Sequence, residues 1–260
     1  MTELPDGKKS LGQHWLRDQA SLEAIVDAAN IEAGDSVLEI GPGQGALTVV
    51  LLERGAKVVA VELDESLAPG LEQQFKDQPF ILNMLSILDF DLSTMSTNYK
   101  IVANIPYYLT AHLLRLLCDS LHPPTTAVLL VQKEVAQRVC AGAGDMSILS
   151  ASVQLYYHVS LGQLVPARLF TPPPKVDSQV LILTRRQQPL FVDIDTKQFF
   201  RIVKVGFSNR RKTLLNALSA GLQMSKEETG ELLTKANIKP ATRAQELSLD
   251  DWHRLYQKLG

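Results

Sequence analysis

The segment that most restricts how this chain can fold is Ser36-Val37-Leu38-Glu39-Ile40, which runs directly into Gly41-Pro42-Gly43-Gln44-Gly45. A short, mostly apolar run has the length of a buried strand. A glycine-rich turn straight after it lets the chain enter a helix while its backbone N–H groups come close to a ligand. A strand of this kind needs neighbours, and the downstream sequence supplies them. Apolar runs recur at 57–61, 79–85, 100–104 and 126–131, separated by helix-like segments such as 111–118 and 133–140, and residues 19–30 place apolar side chains at helical spacing ahead of the first strand. Strands alternating with helices predict an α/β fold with a mostly parallel sheet covered on both faces.

Beyond residue 150 the pattern changes. Residues 153–160 and 178–185 read as strands on either side of Phe170-Thr171-Pro172-Pro173-Pro174, able to add antiparallel edges to the sheet. From about 195 the chain reads as wholly helical, with helices expected at 196–208, 211–221, 225–236 and 248–258. The domain boundary is expected near 187–189, giving 1–188 as the sheet domain and 189–260 as a small all-helical C-terminal domain.

Composition sets limits on function. With 45% hydrophobic residues the chain can bury a substantial core, and it holds no run near the roughly 18 apolar residues that a membrane span needs. The polar residues 1–10 lack the apolar centre of a signal peptide, and Cys118 and Cys140 make neither a metal spacing nor a disulfide framework. A cytoplasmic protein is expected. The net charge of −2 does not mark a nucleic-acid binder, but phosphate contacts need a basic face rather than a basic average. Basic residues do gather, at Lys8 and Lys9, at Arg185 and Arg186, and from Lys197 through Arg201 and Lys204 to Arg210, Arg211 and Lys212.

Glu62 follows Gly41 by 21 residues, at the end of the second strand, where a carboxylate can accept hydrogen bonds from ribose hydroxyls. A dinucleotide site shares these two features. Its G-x-G-x-x-G fingerprint requires glycine at position 46, where this chain has Ala46. The G-x-G-x-G seen here suits a single nucleoside such as S-adenosylmethionine, and a tight turn without any ligand would look the same. After the fourth strand comes Asn104-Ile105-Pro106-Tyr107. Ligands of open α/β sheets lie at the carboxyl ends of the strands, so this tetrapeptide belongs beside the cofactor. Adenine N6 is a poor nucleophile because its lone pair is delocalised into the ring. Two acceptors, the Asn104 side-chain oxygen and a main-chain carbonyl held by rigid Pro106, can bind its N–H hydrogens and localise that pair. Tyr107 can stack on the base, a contact of roughly 1–3 kcal/mol. A turn carrying a half-buried tyrosine is the plainer alternative.

Taken together, these motifs resemble the ribosomal RNA adenine N6-dimethyltransferases over nearly the whole length. Lys8-Lys9-Ser10-Leu11-Gly12-Gln13-His14-Trp15-Leu16 is similar to that family's N-terminal cofactor motif. Glu39-Ile40-Gly41-Pro42-Gly43-Gln44-Gly45-Ala46-Leu47-Thr48 is similar to its glycine loop, and Val61-Glu62-Leu63-Asp64 to its ribose motif. Gln132-Lys133-Glu134-Val135-Ala136 and Phe170-Thr171-Pro172-Pro173-Pro174-Lys175-Val176-Asp177-Ser178 match two more of its segments. Phe207-Ser208-Asn209-Arg210-Arg211-Lys212-Thr213-Leu214-Leu215-Asn216 resembles the branch acting on small-subunit RNA rather than the large-subunit branch that confers macrolide resistance.

The resemblance implies a Rossmann-like methyltransferase sheet. It also implies that S-adenosylmethionine is held by His14, Leu16, Gly41, Gly43, Glu62 and Asn104, with no metal. Ser86 falls where many relatives carry an aspartate against the cofactor adenine, and Asp89 is the other candidate. The acceptor base would be flanked by Tyr107 and Phe170. Lys175, Arg210, Arg211 and Lys212 would hold RNA phosphates. The implied partner is small-subunit rRNA in an assembling 30S particle, met by a monomer away from any membrane. Three other readings remain beside it: a large-subunit rRNA adenine N6-methyltransferase of the resistance type, a ribosome-assembly factor with secondary catalysis, and a nicotinamide-dependent oxidoreductase.

Overall fold

A computed structural model describes residues 13–209 and 211–259. The chain divides into two compact units, one running to Ala136 and resuming at His158–Arg185, the other comprising Gln137–Tyr157 and Arg186–Gly260.

The first unit is built on the sheet that the apolar runs predict. β1 is Trp15–Leu16, β2 Ser36–Ile40, β3 Lys57–Glu62, β4 Phe80–Met84, β5 Lys100–Asn104, β6 Thr126–Gln132, β7 Tyr157–Val165, β8 Phe170–Thr171 and β9 Ser178–Arg185. Seven of these form one sheet in the order β4-β3-β2-β5-β6-β9-β7, and β1 pairs antiparallel with β8 in a small separate ladder. The pairs β3–β4, β2–β3, β2–β5 and β5–β6 are parallel, whereas β9 runs antiparallel to β6. The strand order therefore reverses between β2 and β5, which is where open α/β sheets form their ligand crevice.

Helices α1 (Gln19–Ala28) and α2 (Ala46–Glu53) cover one face. Asp18 caps α1 by accepting the Ser21 N–H, and its Leu22, Ile25 and Val26 meet Leu47, Val50 and Leu51 of α2 over Val37, Val58 and Val102. The β-branched strand residues and the i, i+3, i+4 spacing of the helices are what make these faces interlock.

One expectation is corrected. Residues 153–156, read as the start of a strand, close a helix, α6 (Ile148–Tyr156) in the count that includes α3 (Ala68–Gln74), α4 (Thr110–Asp119) and α5 (Lys133–Cys140). Ser147 and Ser150 form a capping box at its start, and Ala151 and Leu155 turn one face into the core of the helical unit. The strand begins only at Tyr157.

The helical unit contains α7 (Thr196–Gly206), α8 (Leu214–Leu222), α9 (Lys226–Lys235) and α10 (Leu249–Leu259). Asp195 caps α7, and Ser225 with Glu228 forms a capping box on α9. Phe199, Ile202, Val203, Leu218, Leu233 and Leu255 close around the fully buried Trp252. His253 stacks on Phe191 at 4.0 Å and bonds the Asp193 carboxylate at 2.8 Å, a structural pairing at the solvent edge of this core. Among the described residues no helix is long and apolar enough to cross a membrane.

Helix α7 approaches Trp252 so closely at Gly206 that a Cβ there would lie 2.3 Å from the indole ring. Gly206→Ala should thus destabilise the helical unit by about 1–3 kcal/mol through overpacking, despite alanine's better helix propensity. Urea unfolding of the two proteins checks this; an unchanged or raised midpoint contradicts it.

Candidate active site

The carboxyl ends of β2 and β5 open onto a cavity of about 560 Å³ in the first unit. His14, Leu16, Gly41, Gly43, Glu62, Ser86, Asn104, Ile105, Pro106, Tyr107 and Phe170, all singled out in the sequence, line it together. Of the remaining candidates, Lys175, Arg211 and Lys212 are exposed and lie outside this wall, while Lys8, Lys9 and Arg210 lie outside the described residues.

Two glycines explain the first turn. Gly41 has φ +69°, and the space where a Cβ would stand is open, so the backbone itself forms the wall. Gly43, at φ +59°, lies under the Trp15 indole, and a Cβ would come within 2.3 Å of that ring. The N-terminal strand can cover the glycine turn only because position 43 carries no side chain.

Glu62, at the end of β3, is fixed by the backbone around it. Its Oε1 accepts the N–H groups of Leu63 (2.8 Å) and Asp64 (2.9 Å), and its Oε2 accepts that of Gly43 (3.2 Å). A carboxylate offers about four acceptor positions, so one remains, on Oε2. Ser86 contributes to the wall while its Oγ accepts the Leu88 N–H at 3.2 Å. Asp89, the other candidate, is exposed and is not part of the lining.

Asn104 ends β5. Its amide Nδ2 donates to the His14 carbonyl at 3.3 Å, which turns Oδ1 away from that strand. The His14 ring donates from Nδ1 to the Pro172 carbonyl at 2.7 Å, since a carbonyl can only accept, and it lies beside the Tyr107 ring with centroids 5.9 Å apart. Tyr107 is half-buried, and its hydroxyl meets the Ser178 hydroxyl at 2.8 Å. Burial pushes the Tyr107 hydroxyl's pKa up, so it is a neutral hydrogen-bonding group. Phe170 is only 3% exposed and packs in the core, with its strand paired to Leu16.

The chain matches the family model described as "Ribosomal RNA adenine dimethylase" over residues 5–260. It is 42% identical over 252 residues to the ribosomal RNA small subunit methyltransferase A of Dehalococcoides mccartyi strain CBDB1, covering 95% of this chain and 87% of that one. It is 41% identical over 266 residues to the protein of the same name from Streptococcus equi subsp. zooepidemicus strain MGCS10565, covering 97% and 91%.

The chain belongs to the ribosomal RNA adenine dimethylase family.

Among solved structures, a dimethyladenosine transferase from Plasmodium falciparum superposes with a TM-score of 0.79 at 25% identity, covering 93% of this chain and 96% of that one. The 23S rRNA methyltransferase ErmE superposes at 0.77 with 24% identity, covering 94% and 99%, which shows the shared fold. Sequence reasoning left three parts of the site without a role in this family member. Trp15 lids the glycine turn, Ser178 holds the Tyr107 hydroxyl, and Glu39 stands in the cavity wall. A lone acid inside the apolar run of β2 was the available signal for Glu39, because buried charges are rare unless they have a task.

Glu39 is 1% exposed and accepts the Thr48 hydroxyl at 2.7 Å. Burial, with the Glu62 charge adding to it, pushes its pKa from 4.5 to about 8. The Cys118 thiol is likewise pushed up by burial, to about 12, so at neutral pH it is not a thiolate nucleophile.

A raised carboxyl pKa carries a pH signature. Below about pH 4.5 native and unfolded chains both hold the Glu39 proton; between about 4.5 and 8 only the native state does, so its contribution to stability falls as pH rises and levels off above 8. Glu39→Gln should remove that fall. Its melting temperature should gain on the parent's steadily from pH 5 to 8, and parallel pH curves would contradict the assignment.

Proposed function

We propose that this chain transfers methyl groups from S-adenosylmethionine to N6 of two adjacent adenosines near the 3′ end of small-subunit (16S) rRNA, giving N6,N6-dimethyladenosine during small-subunit maturation. The observation that carries the reading is the Asn104 amide, anchored through its nitrogen on the His14 carbonyl at the strand-order reversal. The small-subunit names of the relatives at 41–42% identity favour this RNA over the large-subunit target.

The cavity fits the cofactor chemically. Its wall combines an open glycine backbone at Gly41, the remaining acceptor position of Glu62 for a ribose hydroxyl, and the buried carboxyl group of Glu39. His14, Leu16, Gly41, Gly43, Glu62, Ser86 and Asn104 would hold it. When bound, it supplies an electrophilic methyl group on sulfur.

The residues of the chain do the rest. A target adenine has to leave its stack to reach such a pocket. Tyr107 supports one face of the base, positioned by Ser178 and His14, and Phe170 backs the opposite wall. Asn104 Oδ1 and a main-chain carbonyl of the Ile105-Pro106 turn accept the N6 hydrogens, keeping the lone pair out of the ring and aimed at the methyl carbon. Catalysis is then mainly positioning, with the excess N6 proton passing to solvent water after transfer rather than being pulled off by a strong base. The enzyme would work in the cytoplasm as a monomer on the assembling 30S particle, with Lys175, Arg210, Arg211 and Lys212 on RNA phosphates.

Radiolabelled S-adenosylmethionine supplied with unmodified small subunits should place label in dimethyladenosine, with large subunits and free RNA left unlabelled. Label confined to large-subunit RNA would overturn the substrate assignment, and no label despite cofactor binding would favour a ribosome-assembly role. Asn104→Ala should abolish turnover while cofactor binding stays measurable; turnover like that of the parent would remove Asn104 from the mechanism.

The basic segment before α8 makes a separate prediction. Replacing Arg211 and Lys212 together by glutamate should weaken RNA binding at low salt and flatten the dependence of log affinity on log salt by roughly one to two units. Filter binding across a salt series reads both, and an unchanged slope would place the RNA elsewhere.

A further inference from the structure

The chain leaves the pocket through a 3-10 turn, Tyr107–Leu109, and continues directly as α4. Tyr107 turns inward, whereas Tyr108, which also lines the cavity, is 58% exposed. His112 and Arg115 follow Tyr108 at near-helical spacing of four and seven residues, and both are exposed. The inward side of the same helix is Leu113, Leu114 and Leu117, all buried, so the outward stripe has no packing duty. Arg115 bonds Asp119 at 3.3 Å, with 84% of the Arg115 side chain and 68% of the Asp119 side chain exposed, a solvent-screened contact that a phosphate can replace.

We infer that the stripe Tyr108–His112–Arg115 is a second RNA subsite, which takes the nucleotide next to the flipped adenosine by stacking its base on Tyr108 and leads its backbone past His112 to Arg115. The inference rests on the proposed function, since it needs an adenosine in the pocket. Three observations choose RNA as the occupant. The stripe is continuous with the acceptor loop, so a nucleotide adjoining a base in the pocket can lie along it. A large exposed aromatic at a pocket mouth matches the way single-stranded bases are held, by stacking rather than by groove readout. The polar end of the stripe carries a guanidinium and an imidazole, complementary to a phosphate chain. A base unstacked by the departure of its neighbour also needs a replacement face, and Tyr108 provides one on the enzyme.

The experiment compares the full-length protein with Tyr108→Ala and Tyr108→Trp. Because Tyr108 is exposed, neither variant threatens folding, and the melting temperature should stay at the parent's value. On unmodified small subunits, Tyr108→Ala should lower kcat/KM for RNA by about 5- to 150-fold, the range set by the loss of one base–aromatic stack. Tyr108→Trp should return to within about threefold of the parent. A second readout needs no methyl transfer. In a protein-free RNA fragment of the small-subunit 3′ end, 2-aminopurine is placed on either side of the target adenosine. Bound to the parent it should stay quenched at one of the two positions, and bound to Tyr108→Ala it should brighten there. Three results would overturn the inference: full activity in Tyr108→Ala, a Tyr108→Trp protein as impaired as Tyr108→Ala, or equal brightness with both proteins at both positions. Loss of activity on particles together with equal brightness would instead point to a ribosomal protein as the occupant. Failure of the parent to label any RNA would count against the proposed function, while the fluorescence still reads the subsite.

Discussion

The parallel pairing of β2 with β5 is the contact on which everything at this site depends. Val37 lies opposite Lys100, Leu38 opposite Ile101 and Glu39 opposite Val102, and that register brings the end of one strand, with its glycine turn, alongside the end of the other, with Asn104. Slipping it by one residue would send every side chain of one strand to the opposite face. If that strand were β2, Val37 would lose the helix-covered core and Glu39 would lose the Thr48 hydroxyl. The core thus enforces the register, and the register sets the spacing between a donor-rich turn and an acceptor loop. No direct bond between those two segments is required.

Around that frame the key polar groups are held largely by main-chain atoms. Glu62 is fixed by three backbone N–H groups, Asn104 by the His14 carbonyl, and the His14 ring by the Pro172 carbonyl. Backbone partners cost little extra ordering, because the strands and turns that carry them are already fixed by packing. Such preorganised dipoles need not reorient during a reaction, and this is where positional catalysis gains over water. The β1–β8 ladder is the exception that links distant parts. It places a short N-terminal strand against the proline-rich loop, so His14 and Trp15 reach Asn104 and Gly43 from a segment remote in sequence.

This division explains what the sequence could and could not reveal. Short apolar runs bounded by glycine and polar residues made β2, β5 and β6 legible, and the 3.6-residue spacing did the same for α7 to α10. The glycine turn and Glu62 were legible because their chemistry is local. Residues 153–156 read as a strand in the sequence because Val153, Leu155 and Tyr157 alternate like one. The Ser147 cap and a core supplied by residues 191–255 decide for a helix instead. The same detour carries 137–157 into the helical unit, which a single linear boundary near 188 leaves with the sheet. The bond between Tyr107 and Ser178 spans 71 residues and leaves no periodic trace. Ser86 and Asp89 sit three residues apart in one turn, and only the local fold, with the Ser86 Oγ tied to the Leu88 N–H, shows which of them faces the cavity.

The net charge of −2 is also less paradoxical for an RNA-directed protein once the acids are located. Glu39, Glu62 and Asp64 are all buried at or beside the cavity. Glu39 tends to keep its proton at neutral pH, while the other two are wrapped in hydrogen bonds from Gly43, Leu63, Asp64, Gln13 and Ser66. Their charges are directed inward, toward a site suited to a cationic ligand, and contribute little to the field an approaching phosphate chain meets. Arg211, Lys212 and Lys175 are exposed. A sum over the whole chain mixes these two populations. One acts across a few ångströms inside a low-dielectric cavity, and the other acts through water within a Debye length of about 8 Å at physiological salt. RNA attraction therefore depends on where the surface cations stand, and the formal total says little about it.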